Sequence, residues 1–114
     1  MIHTPIPTVT LTEIEERWVS KKWQEIRRAQ QRADVANRDW NRINDAINDK
    51  HAAEDARRTE RGDPLLTDLM KAQAKGASLP LKDALETGNW HSRNAERHIH
   101  DLQLFLQMKE MGLL

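Results

Sequence analysis

The 114-residue sequence has no cysteine and no tyrosine, one phenylalanine, and only four glycines and four prolines. Without cysteine there are no disulfides, thiolate metal sites or thiol nucleophiles, which suits a reducing compartment. Four glycines leave little strained loop on which to mount a catalytic centre. No Gly-rich phosphate loop, Ser/His/Asp arrangement or paired-carboxylate motif can be made out, so a cofactor is not expected and the reading leans away from an enzyme. There is also no excess of either charge: 18 basic and 18 acidic residues give a formal net charge of zero. Non-specific nucleic-acid binding needs a concentrated basic surface, and the overall balance argues against such a partner.

Long apolar runs are missing as well. No stretch approaches the roughly 20 apolar residues of a spanning helix, and Met1 to Thr12 lacks the basic-then-apolar order of a secretory signal. The expectation is a cytoplasmic protein with no membrane partner. Hydrophobic residues make up 38% of the chain and charged residues 32%, so apolar material is sparse. A single domain of this length hides roughly two-thirds of the surface its unfolded chain exposes. Its apolar residues must therefore be gathered on particular faces, and their scarcity points towards a partner.

What the sequence does have is helix. Residues 1–9 carry Pro5 and Pro7 and read as an extended arm. At Thr10 the start signals coincide: a capping hydroxyl, Glu13 three residues on, and Val9 with Ile14 at the spacing of a hydrophobic staple. Thr12 with Glu15 offers a second register. From Leu11 to Arg61 there is neither glycine nor proline, and a helix of that length would extend about 76 Å. Ile26, Ala29, Ala33, Ala36, Trp40, Ile43 and Ile47 alternate by three and four, the seam of a left-handed coiled coil. The alanines require close approach or a large facing side chain, and Ile14, Trp18, Val19 and Trp23 widen the stripe upstream. After Ile47 the apolar residues are Ala52, Ala53 and Ala56, so the last turns should be solvated or frayed. Glu13 with Arg17, Asp34 with Arg38 and Glu54 with Arg58 are spaced as surface ion pairs, each worth roughly 0.2–0.5 kcal/mol.

Gly62 stops this helix. Asp63 and Pro64 then open a short helix to Gly76 with Leu65, Leu66, Leu69 and Met70 as its buried face, and Leu79-Pro80 opens a second short helix closed near Gly88. A last helix of about 90–111 carries Ala95, Ile99, Leu102 and Leu106, with Leu104, Phe105, Met108 and Met111 widening the stripe. No strand signal or internal repeat appears. The fold class is all-α: a long N-terminal helix (about 11–61), two short helices and a C-terminal helix packing back as a hairpin or small bundle with coiled-coil character, in one domain. Because the return segment is broken, it can cover only part of the long helix, which makes self-association the simplest remedy.

Two constellations bear on chemistry. Arg93 and His98 have four residues between them and Asn94 follows the arginine; this resembles the Arg-Asn-x-x-x-His signature of HEPN-type ribonucleases, which are also small all-α domains. The resemblance covers six residues. It would imply metal-independent RNA cleavage, usually across a dimer, with His98 in acid–base work, Arg93 on the phosphate and Asn94 orienting. The favoured reading of the same residues is the polar first turn of the last helix. His91, His98 and His100 lie within ten residues, but only Glu96 with His100 and His98 with Asp101 share a helix face, so no metal is assigned.

The four tryptophans, Trp18, Trp23, Trp40 and Trp90, remain. Trp40 fits core packing, whereas Trp18 and Trp23 flank the seam as aromatic anchors for a protein. The reading preferred is a helical interaction or assembly protein, self-associating and binding another protein through Trp18, Trp23, Ala33, Trp40, Ile43 and Ile47. Its style suits a phage or mobile-element accessory, either a virion component or an inhibitor of a host factor. The alternative is the ribonuclease using Arg93 and His98; the third is a nucleic-acid binder using Arg27, Arg28 and Arg32.

Overall fold

The computed structural model describes residues 10–114. The arm expected at residues 1–9 lies outside them, as does the Val9 half of the hydrophobic staple. The architecture is all-α, with three helices: α1 (Glu13–Arg61), α2 (Asp68–Gly76) and α3 (Leu79–Glu110). The chain divides into two compact units, one of residues 10–31 with 91–114 and one of residues 32–90.

The start of α1 takes the second of the two registers legible in the sequence. The Thr12 amide donates to Glu15 Oε1 at 3.0 Å and the Glu15 amide donates to Thr12 Oγ1 at 3.2 Å, a reciprocal capping box that satisfies two otherwise orphaned donors. Glu13 is left for Arg17, 2.8 Å away. In the first unit α1 and α3 run antiparallel, because contacts that climb α1 descend α3: Glu15 meets Lys109 at 2.8 Å, Trp18 meets Phe105, and Glu25 meets His98 at 3.3 Å. Ile26 and Ala29 of α1 and Ala95 and Leu102 of α3 supply the buried side chains.

In the second unit the buried side chains are Ala33, Ala36 and Leu81. The helix does not fray towards Arg61, contrary to one of the two expectations for its end. Polar contacts hold it: Glu54 pairs with Arg57 at 2.6 Å and Arg58 at 3.1 Å, and Asp55 accepts the Leu66 amide at 2.9 Å and faces Lys71 at 3.1 Å. Ala52, Ala53 and Ala56 are exposed, as their size foretold. Gly62, at φ +72°, closes the helix. Its amide donates to the Thr59 carbonyl at 3.2 Å and that of Asp63 to Arg58 at 2.8 Å, the paired bonds of a Schellman motif, which needs a left-handed residue.

Two expectations for the return segment are corrected. The first short helix begins at Asp68 and not at Pro64, capped by Thr67 accepting from the Met70 amide, and none of its residues is buried. Asp63 is occupied instead in ending α1 and in pairing with Arg61 at 3.3 Å. Leu65, Leu69 and Met70, expected inside, are 55%, 67% and 49% exposed.

The second correction concerns Gly88. The expected second short helix and the last helix are one, because Gly88 ends nothing: it is buried in the middle of α3. A Cβ on Gly88 would lie 3.2 Å from Asn37 Oδ1 and 3.5 Å from the Ala36 Cβ. The glycine therefore lets the two helices of this unit come close, and it costs α3 only about 1 kcal/mol of helix propensity relative to alanine. Gly112, at φ +73°, ends α3 with a second Schellman pair, Gly112 to Lys109 and Leu113 to Met108.

Candidate functional site

The first unit holds most of the chemically distinctive side chains. On the face of α1 turned towards α3, Trp18 lies against Phe105 with ring centroids 4.8 Å apart and planes tilted by 52°. One turn on, the Lys22 ammonium stands 5.4 Å from the Trp18 ring centre, within range of the attraction between a cation and an aromatic face. The same ammonium is 3.1 Å from His98 Nδ1, 3.5 Å from Asp101 and 3.9 Å from Glu25. Lys22 and His98 keep only 16% and 19% of their side-chain surface, so the group is an inward polar cluster joining the two helices. With one lysine between two carboxylates and an imidazole, each charge has an opposite neighbour, as burial of charge requires.

The structure thus gives His98 partners on α1 that its sequence neighbours did not suggest. Arg93 is exposed, and five residues at ~100° each set it well round the helix from His98. Asn94 is half-buried. Among the described residues no group of three or more His, Asp or Glu side chains could hold a metal ion.

On the flank of α1, Leu11, Glu16, Val19, Ser20, Trp23, Gln24 and Arg27 line an open groove of about 370 Å³. Trp23 is 48% exposed at its edge. Trp18 and Trp23, expected as a pair of anchors, therefore separate: Trp18 packs on Phe105 and Trp23 faces outward. A smaller recess of about 210 Å³ lies beside Trp18, Lys21, Lys22 and Glu25. Glu15, at the foot of this unit, has its carboxyl held below the usual carboxylate range by the hydrogen bond from Lys109 and then by the Thr12 amide.

In the second unit Ala33 is buried, while Trp40, Ile43 and Ile47 are half-buried. Ile43 lines a recess of about 220 Å³ with Ala36, Asp39, Arg42, Pro80, Asp83, Ala84 and Thr87. Asp55 is the hub of the contacts at the end of α1. Its carboxyl is held low by the Leu66 amide first and Lys71 second, and Glu54 beside it by the bond from Arg58. The spacing in the sequence foretold the Glu54–Arg58 pair, but not the role of Asp55, since an acidic residue in a charge-laced helix carries no local sign of a partner in the segment that follows.

No family model, curated protein or solved structure matches this chain. No helix among the described residues is long and apolar enough to cross a membrane.

Proposed function

We propose that the chain is a helical interaction protein whose work is to bind protein, a second copy of itself included. One observation carries this reading. Among the described residues seven apolar side chains are buried, and four of these are alanine, whereas thirteen large apolar side chains are exposed. Each of these, 46–78% exposed, forgoes a part of the about 1.5–3 kcal/mol that full burial gives, and the molecule leaves many more large apolar side chains in water than the three, Ile26, Leu81 and Leu102, that it buries. Surfaces rich in exposed Leu, Met and Trp are those that association covers.

Sedimentation over a wide concentration range, followed by capture of partners from the native host, tests the proposal. Association with itself or recovery of one stoichiometric partner is the expected result. A monomer at every concentration that retains no host protein would overturn it.

A further inference from the structure

The groove beside Trp23 is made almost wholly by one flank of α1. Glu16, Ser20, Trp23 and Arg27 follow a four-three-four alternation, so they stand in one line along the helix, and Val19 and Gln24 border that line. This is a second line with coiled-coil spacing, apart from the one that carries Ile26 and Ala29. Val19 is half-buried and the other five are exposed, Trp23 by 48%.

The ends of the line carry opposite charges that the helix leaves unpaired. Elsewhere on α1, Glu13 reaches Arg17 at 2.8 Å and Glu54 reaches Arg58 at 3.1 Å. Glu16 and Arg27 have no residue of opposite charge three or four positions away, and neither makes an ion pair among the described residues. They stand about 16 Å apart along the axis, too far to answer each other within one chain.

The groove is also its own complement. A two-fold axis perpendicular to α1, passing between Lys21 and Lys22, sets Glu16 against Arg27 of a second copy, Ser20 against Trp23 and Val19 against Gln24, and each pairing occurs twice. Opposite charges meet at both ends. In the middle each indole lies over the small side chain of a serine, large against small as close packing requires. An unrelated ligand requires no such internal match, which is what selects a second copy as the occupant.

We infer that this flank of α1 binds the same flank of a second copy, antiparallel, with Trp23 packed on Ser20 between two Glu16–Arg27 ion pairs. The inference deepens the proposed function and rests on its reading that the chain self-associates. The indoles supply the contact area, and the exposed ion pairs fix register and direction more than they add affinity.

The test is sedimentation equilibrium of the full chain with charges exchanged at these exposed positions, circular dichroism checking the fold. Glu16→Arg sets arginine against arginine and Arg27→Glu sets glutamate against glutamate. Each variant replaces two attractions by two repulsions and self-associates at least about tenfold more weakly than the wild type. An equimolar mixture of the two variants restores both pairs in a heterodimer of wild-type affinity, and E16R/R27E restores them in a homodimer. Trp23→Ala weakens association about tenfold. Wild-type self-association that neither exchange weakens, or that the mixture does not recover, overturns this interface while leaving the chain a self-associating protein. A wild-type chain monomeric at every concentration overturns the inference outright; the proposed function falls with it only if no host partner is retained.

Discussion

Replacing Gly88 measures how closely the two helices of the second unit approach, and the sign of the effect follows from two opposed magnitudes. Alanine in a helix interior is favoured over glycine by about 1 kcal/mol. Against this, the new methyl group would sit 3.2 Å from Asn37 Oδ1 and 3.5 Å from the Ala36 Cβ. The second distance is ordinary contact and costs nothing. The first requires the Asn37 amide to turn away, and Asn37 is exposed, so the cost is that of a modest rotamer change, roughly 0.5 kcal/mol. Gly88→Ala should therefore stabilise the chain by about 0.5 kcal/mol, a rise in Tm of roughly 2–4 °C. Gly88→Leu cannot be relieved in this way and should destabilise by about 1–3 kcal/mol through overpacking. Thermal unfolding by circular dichroism reads both, and the background Asn37→Ala isolates the amide: there Gly88→Ala should gain the full ~1 kcal/mol. A loss of more than about 1 kcal/mol for Gly88→Ala in both backgrounds would refute the reasoning, because the backbone approach at Ala36 would then set the limit.

Three further outcomes are expected. Thr12→Ala removes the capping box and should cost about 1 kcal/mol, read as faster amide exchange in the first turns of α1. Gly62→Ala places a Cβ at φ +72° and should cost about 1–2 kcal/mol, whereas Gly76→Ala, with open space around it and ordinary φ, should gain up to about 1 kcal/mol; equal Tm values for the two would contradict the assignment of Gly62 as a left-handed cap. Glu15, Glu54 and Asp55 are all held below their ordinary values, so their contribution is complete above the unfolded carboxylate range near pH 4 and disappears as pH falls through the depressed folded values. Urea unfolding from neutral pH to pH 3 should show this loss, with a shallower acid limb in Asp55→Asn, whose amide oxygen still accepts from Leu66 but no longer titrates.

The sequence made the helical elements legible wherever a signal was both local and unopposed. The absence of Gly and Pro from Leu11 to Arg61 foretold α1, and the stop at Gly62 is met by its left-handed φ. The errors came where one residue type serves two ends. Gly88 resembles a helix terminator, yet what it does depends on a neighbour fifty residues away, since a glycine facing Ala36 and Asn37 is tolerated within a helix for the space it provides. Asp63 resembles an N-cap in the same manner, but its carboxylate pairs with Arg61 and its amide closes the preceding helix, and Thr67 caps the next one. The apolar pattern of Leu65, Leu69 and Met70 pointed to burial that does not occur, because the segment is held by the Asp55 contacts and leaves those side chains largely in water.

Net charge is silent at this level of detail for a reason of the same kind. A sum over 36 charged residues treats each as equally available to a partner, whereas a helix assigns every residue a direction. Lys22 and Glu25, three apart on α1, turn to the same side and meet His98 and Asp101 of α3, a set of pairings that no property of the sum records.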